Sequence, residues 1–580
     1  MRTRLLALLA ILLIALALPA GAAPGGTTPP GVTDPSGDQQ QITAQRPVPV
    51  PPTRSCTTRI MSRTFANSYY RPFTGSVSPP TACPGPWSEV VLTFTASVSK
   101  VQFDRTLDIT VGGAELLRGS TSEPCCTGTN SVSWSVQRDV TQEQALLQQP
   151  GQPVLVALDN VNDATYTGQY ATTASLTYYQ PDATHPAATS PDVVLPVTAL
   201  TPTTTAPSGN EPLFSLGSVG QSQGAAVTFP RNLARLTAEL FGDGHGACEE
   251  FWWSEPSGCG AGNPYREVAV SIDGQLAGAA PVFPTTFTGA DGPGFWEPIP
   301  SPRAWDLRPY DVDLTPFVAT LTDGKPHAVR ISVLDPAYTS SGGDYWQVAA
   351  TLLGSVQHDT AVTTGALTTA SAPTTIDDTG NDPTGQDVAY SGTTSHVLDH
   401  VGHIDTPSGP VTTAVHESMG ETASQPADAT TGSWHWSNTT STTAGGHTTV
   451  ADDEQTYGLT TTPLSSFAFV DDETTSTSVD GVRRASSART ERMRTSAAGL
   501  AYNGVEVEDS GASDSTGLCY HRTIATAAGQ VPVDTSDSAC PATAPTDAGP
   551  AASLPEAPYA ALLLLVALPV GALALRRRRR

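Results

Sequence analysis

The chain has 580 residues, a formal net charge of −26 and only 14% charged residues. That length allows roughly three or four domains, and the low charged fraction excludes a simple solvated coil. The acidic balance, with Lys100 and Lys325 as the only lysines, repels phosphate backbones and argues against nucleic acid as a partner. In chain order, residues 1–22 read as a secretory signal peptide. Arg2 and Arg4 supply the positive start, Leu5 to Leu18 the apolar run, and Ala20-Gly21-Ala22 the small residues of a cleavage site. Residues 23–55 are rich in Pro, Gly, Thr and Gln without periodicity, and are expected to be a flexible leader.

Residues 56–180 change texture. Val90 to Phe94 is a buried-strand pattern, and Gln102 to Val111 largely alternates apolar and polar before turning at Gly112-Gly113. Ser131 to Val136 and Ala174 to Tyr178 alternate again. A Pro/Thr-rich linker, 181–212, leads to a second block, 213–357. Its strand patterns are Ala225 to Phe229, Leu233 to Phe241, Val268 to Ile272, His327 to Val333 and Gln347 to Leu353, with a hairpin turn at Asp273-Gly274. Short strands, Gly-rich turns and almost no helical period predict an all-β chain with two tandem antiparallel sandwiches.

In residues 358–545 Thr, Ser, Gly and Asp dominate. The composition suits a stalk. Ser466 to Val470 and Leu500 to Val507, the latter with an Asn503-Gly504 turn, favour a further β-rich domain. A linker, 546–556, precedes the last segment, 557–580, where an apolar run from Ala557 to Leu575 is followed by five arginines. That run approaches the ~20 residues of a membrane span, and the basic tail puts the rest of the chain outside. Leu554-Pro555 begins a pattern like a Gram-positive sorting signal that lacks its Thr-Gly, so a transmembrane anchor is expected rather than wall attachment. The chain is therefore expected to be exported and held at the extracellular face of its membrane. Eight cysteines in such a chain point to disulfides. Proximity favours Cys56–Cys83, Cys248–Cys259 and Cys519–Cys540, while Cys125-Cys126 could form a vicinal bridge or stay reduced. No spacing suits a metal, no P-loop, dinucleotide fingerprint, GxSxG or HExxH occurs, and no cofactor is expected.

Four clusters carry possible chemistry: Phe103-Asp104-Arg105, Cys248-Glu249-Glu250-Phe251-Trp252-Trp253, Tyr265-Arg266-Glu267, and Phe295-Trp296-Glu297 with Trp305-Asp306. On strand alternation Phe103 and Arg105 face one way and Asp104 the other. Solvated acids and aromatic loops closing a sandwich would produce the same strings. The combination favours a carbohydrate, because aromatic faces stack on sugar rings and carboxylates bind hydroxyls or activate water.

At these residues the chain resembles the peptide-N-glycosidase A family. The likeness runs through Trp87-Ser88-Glu89-Val90-Val91-Leu92, Gln102-Phe103-Asp104-Arg105, Gly112 to Arg118, Thr121-Ser122-Glu123-Pro124 and Tyr166-Thr167-Gly168. It continues through Phe229-Pro230-Arg231-Asn232, Glu249-Glu250-Phe251-Trp252, Tyr265-Arg266-Glu267-Val268, Ala279 to Pro284, Trp296-Glu297-Pro298-Ile299, Tyr310 to Phe317 and Asp323 to His327. Fainter echoes reach Cys519-Tyr520-His521-Arg522 and Cys540.

The resemblance implies hydrolysis of the amide joining an N-glycan to asparagine, with N-glycosylated peptides or proteins as partners. It implies two jelly-roll domains with the functional acids in the cleft between them, as in the bacterial relative peptide-N-glycosidase F. Asp104 is then the acid acting on water, Glu250 with Glu249 the acids on the first sugar, and Arg105 the partner of Asp104. Trp252, Trp296 and Arg266 are implied to bind substrate, and Glu115 and Glu123 are the candidates for a third acid. Two other readings keep the scaffold and drop the reaction: a non-catalytic glycan-binding surface protein, and a structural adhesin.

Overall fold

The structure, a computed structural model, describes residues 39–43, 47–124, 131–197, 213–218, 220–245, 265–282, 300, 303–334, 345–373, 375–380, 389–425, 431–460, 466–479, 482–496, 505–513, 518–527 and 530–538. The chain divides into two units, Met1–Pro541 and Ala542–Arg580, and every described residue belongs to the first. Among the described residues strands predominate and helices are few and short, so the fold there is all-β as expected.

The first sandwich packs two sheets. One has the order β1 (Gln39–Gln40), β7 (Ser131–Asp139), β4 (Glu89–Ser99), β9 (Gln169–Tyr179), β2 (Ser55–Phe65). The other runs β3 (Phe73–Val77), β8 (Gln152–Leu158), β5 (Thr106–Val111), β6 (Ala114–Ser120). Alternation decides which face is inside: Val90, Leu92, Phe94, Ala96 and Val98 of β4 turn inward, against Leu107, Ile109 and Val156 of the opposite sheet. Cys56 and Cys83 are joined by a disulfide. Two details differ from the sequence expectation. Gln39–Gln40 of the leader forms a short strand parallel to β7, and Gln41 donates to the Ser133 carbonyl at 2.8 Å. The strand expected from Gln102 begins only at Thr106, because residues 102–105 spend their hydrogen bonds on neighbouring loops.

The second sandwich pairs β10 (Val193–Val197), β18 (Tyr345–Val356), β13 (Leu233–His245) and β16 (Tyr310–Asp313), with β11 (Phe214–Leu216) also on β18. Its partner sheet is β12 (Ser222–Thr228), β17 (Pro326–Leu334), β14 (Glu267–Ile272), β15 (Gln275–Pro281). The β14–β15 hairpin turns at Asp273-Gly274 with φ of 51° and 84°. Two positive φ values in succession make it the primed turn that the Asp-Gly pair favours.

Residues 365–537 carry a third assembly, an eleven-stranded sheet. It runs β19 (Gly365–Ser371), β21 (Tyr390–Thr406), β22 (Gly409–Gln425), β23 (Thr431–Ala444), β24 (His447–Thr460), β25 (Ser466–Val479), β26 (Val482–Ser496), β27 (Val505–Ser513), β28 (Leu518–Ala527), β29 (Gln530–Asp537), with β20 (Asp377–Asp378) also on β21. One face packs on the second sandwich through Leu398 and Met419 against Ala269 and Ala279, and through Trp434 and Trp436. At Gly402 a Cβ would overlap the Pro316 carbonyl, so glycine lets β21 come that close. The expected anchor, 557–580, and the expected signal peptide lie outside the described residues, among which no helix is long and apolar enough to cross a membrane.

Candidate functional site

Asp104 sits in the irregular segment between β4 and β5, at one end of the first sandwich. Gln102, 1% exposed, organises it. Its amide donates to the carbonyls of Val161 (3.0 Å) and Gly168 (3.1 Å), while its carbonyl oxygen accepts from the Phe103 N–H (2.9 Å) and the Arg105 guanidinium (2.7 Å). The Arg105 N–H donates to Thr121 Oγ1 at 2.8 Å, and the Thr121 N–H returns a bond to the Arg105 carbonyl at 2.8 Å. Gly168 must be small: a Cβ there would lie 2.9 Å from both Gln102 Cβ and the Ser99 carbonyl.

Around this segment the Phe103 and Tyr166 rings lie 4.2 Å apart at 34°, and the Arg105 guanidinium lies over Phe103 at 5.6 Å. The buried Tyr170 hydroxyl donates to the Phe103 carbonyl. Burial pushes that phenol far up, and the negative charges of Asp104 and Glu123 add to the effect. Asp104 is half-buried. The site is thus an acid on a short aromatic and cationic shelf, held by side-chain bonds from three separate loops. The strand alternation expected for Phe103-Asp104-Arg105 does not hold, because the segment is not a strand.

The two candidates for a third acid separate. Glu123 shares the field at Tyr170 with Asp104. Glu115 lies in a buried ionic cluster between the sandwiches. Arg118, 2% exposed, bonds both Glu115 oxygens at 2.7 Å and Asp243 Oδ1 at 2.5 Å, and donates to the Gln347 carbonyl at 2.8 Å. Asp108 Oδ1 is 3.5 Å from Arg118 Nε, and His245 Nε2 is 2.9 Å from Asp243 Oδ2. Burial raises the Asp243 pKa, but Arg118 and His245 outweigh it and hold the carboxyl below its ordinary value. Trp305 and Asp306 belong to the same junction. The Trp305 ring stacks on Trp134 at 6.2 Å, and Asp306 Oδ1 is 3.3 Å from Arg138 Nη1.

Arg266 is 4% exposed at the start of β14. Its neighbours Tyr265 and Glu267 are buried and bonded, the hydroxyl donating to Glu267 Oε1 at 2.6 Å. Glu249, Glu250, Trp252 and Trp296, together with Cys125, Cys126, Cys248, Cys259 and Cys540, lie outside the described residues. Of the sequence-named residues, the structure therefore brings Asp104, Arg105 and Glu123 to the surroundings of one side chain, Tyr170. It adds Gln102, Tyr166 and Tyr170 around them. The motif Tyr166-Thr167-Gly168 was the sequence signal for two of these contacts, whereas Tyr170 carried none.

A family model described as peptide N-acetyl-beta-D-glucosaminyl asparaginase amidase A matches residues 46–373. A protein of Prunus dulcis, peptide-N4-(N-acetyl-beta-glucosaminyl)asparagine amidase A, is 30% identical over 393 residues. That match covers 63% of this chain and 66% of the relative, so it spans just under two thirds of the relative's length. Two solved structures of PNGF-II, in space groups P21 and C2, each align with a TM-score of 0.36 at 15% identity, over 53% of this chain and 66% of theirs.

Proposed function

The chain belongs to the peptide N-acetyl-beta-D-glucosaminyl asparaginase amidase A family, and from that membership we propose that it hydrolyses the amide between N-linked GlcNAc and asparagine in glycopeptides and glycoproteins. Water adds to the side-chain carbonyl carbon and the carbon–nitrogen bond breaks. Aspartate stays in the peptide, and the glycan leaves as a glycosylamine that later loses ammonia. The observation that carries the reading is Asp104, a carboxylate inside the matched region, half-exposed on a shelf held by Gln102 and Thr121.

In this reading Asp104 orients and activates the water, since a positioned carboxylate acts as general base. Arg105 keeps the shelf in place through Gln102 and supplies a positive field. Glu250 holds the first GlcNAc or a bridging water, with Glu249 assisting. Trp252 and Trp296 stack on the sugars and Arg266 supports the substrate side. Jelly-roll wiring of both sandwiches, export, and attachment to the outer membrane face through residues 557–580 belong to the same proposal and rest on the sequence. No cofactor is required by this hydrolysis.

The test is incubation of the purified chain with a glycopeptide, followed by mass. Release of the glycan with conversion of Asn to Asp is expected, and Asp104→Asn is expected to reduce kcat/KM by about 10²–10⁴-fold. Full activity in that variant removes Asp104 from the mechanism. Glycan binding with the glycopeptide mass unchanged would instead identify a binding protein on the same scaffold.

A further inference from the structure

Residues 102–105 belong to no strand, so their backbone groups must find partners outside a sheet ladder. Two of those groups decide where Asp104 points. A peptide unit is planar, so the Cα–Cβ direction of a residue is set by the peptide planes on either side of it. For Asp104 these planes carry the Phe103 carbonyl and the Arg105 N–H. Each is held by a side chain from another part of the first sandwich. The Arg105 N–H donates to Thr121 Oγ1 at 2.8 Å, and the Phe103 carbonyl accepts from the Tyr170 hydroxyl.

Tyr170 is 0% exposed on the inward face of β9, where its ring meets Trp134 edge-on at 6.1 Å. A phenylalanine would fill that space equally well, and a buried hydroxyl is costly unless it is hydrogen-bonded. The hydroxyl is therefore accounted for by what it reaches. Besides bonding the Phe103 carbonyl it lies 3.3 Å from the Ser122 carbonyl. Phe103 precedes Asp104 and Ser122 precedes Glu123, so one phenol stands between the two segments that bear these acids. Thr121 ties the same segments a second time, its own N–H donating to the Arg105 carbonyl at 2.8 Å. Burial pushes the phenol far above its ordinary pKa, so it keeps its proton and remains a donor through neutral pH.

We infer that Tyr170 is a positioning residue: with Thr121 it fixes the peptide planes on both sides of Asp104, and so the direction in which that carboxylate meets water and the substrate amide. The inference rests on the amidase reading above. Being wholly buried, Tyr170 acts through the Phe103 carbonyl and not on the substrate. Its hydroxyl therefore bears on the rate of the chemical step and leaves substrate binding alone.

The experiment measures kcat and KM of the full chain on a glycopeptide for wild type, Tyr170→Phe, Asp104→Asn and the double variant, each well below its melting temperature. Tyr170→Phe keeps the ring and removes only the hydroxyl. It is expected to lower kcat by about 10–100-fold with KM within about threefold, as misdirection of a reacting group does. In the Asp104→Asn background the same change should cost less than about twofold, because no carboxylate is left to misdirect. A purely structural loss would lower kcat by the same factor in both backgrounds, and that result overturns the inference.

Tyr178→Phe is the control. Tyr178 is a buried tyrosine on the same face of β9, packed on Trp87 at 4.6 Å, and its hydroxyl has no hydrogen-bond partner among the described residues. It should keep wild-type kcat. A loss there equal to that of Tyr170→Phe would reduce both to core packing and sink the proposal. Should Tyr170→Phe fail to fold, Thr121→Val and Thr121→Ser test the other plane. Valine removes the acceptor of the Arg105 N–H and serine restores it, so kcat should fall with the first and recover with the second. Equal rates in the two overturn the inference. Absence of turnover in the wild type overturns the amidase reading itself. Wild-type turnover that Asp104→Asn abolishes and Tyr170→Phe leaves intact overturns only the role of Tyr170.

Discussion

Arg118 Nη1 lies 2.5 Å from Asp243 Oδ1, with both side chains 2% exposed, and this contact joins the first sandwich to the second. Glu115 grips the same guanidinium with both oxygens, and Asp108 approaches it. Removing that guanidinium would leave three buried acids together. Arg118→Met is expected to cost about 3–5 kcal/mol, the range for breaking a buried ion pair from one side. Denaturant unfolding measures it. A loss well under 1 kcal/mol would show that the acids relax to solvent.

Gly168 supports Asp104 without touching it. Adding a methyl group would press on Gln102 Cβ and on the carbonyls of Ser99 and Val101. Gly168→Ala is expected to cost about 1–3 kcal/mol as overpacking. Its kcat on a glycopeptide should fall by about 10²-fold, since small misplacements of a catalytic group are that expensive. Kinetics well below the variant's melting temperature separate the two effects.

The pH dependence of stability has a definite sign. Burial pushes the Glu417 carboxyl from 4.5 up to about 8, with Asp313 and Glu267 adding to it. Burial also raises Glu143 and Glu239 between the sandwiches. Acids raised in the fold hold protons that unfolding releases, so their contribution is complete below about 4.5 and is lost as pH rises toward 8. The lowered Asp243 acts oppositely and loses its contribution only in acid. The melting temperature is expected to decline between about pH 5 and about pH 9, and Glu417→Gln should flatten that decline. Calorimetry at stepped pH reads both.

The Cys56–Cys83 bond closes a loop with a sequence separation of 27 and ties β2 to the segment before β4. Cys56→Ser is expected to cost about 2–5 kcal/mol. Chemical denaturation of the variant beside the oxidised wild type measures that cost.

Alternation and turn chemistry carried much of the fold. The pattern Val90 to Phe94 lies within β4, and Asp273-Gly274 turns where a primed hairpin should. The segment at Gln102 read as strand because alternating apolar and polar residues satisfy a sheet face equally well in a loop. Only Gln102's bonds to Val161 and Gly168 divert it. Tyr170 read as one more inward core residue of β9, since periodicity reports burial but not what a hydroxyl reaches. The Thr/Ser-rich stretch left stalk and sheet both open because weak hydrophobicity is common to each. Pairing along twelve to seventeen residues in β21–β26 supplies what composition did not.

By itself the sequence determined the strand-rich class, the Cys56–Cys83 pair and the family, because each depends on local pattern or on short ordered motifs. Tertiary structure decided which acids are separated. Glu115 is sealed against Arg118 while Glu123 and Asp104 both act on Tyr170, although Glu115 and Glu123 each lie within twenty residues of Asp104 in the chain. It also decided that Tyr265-Arg266-Glu267 is closed over by His396, 129 residues away. The physical reason is that a carboxylate's role follows from its burial and its partners. Those partners come from strands whose neighbours are set by sheet pairing, not by distance along the chain.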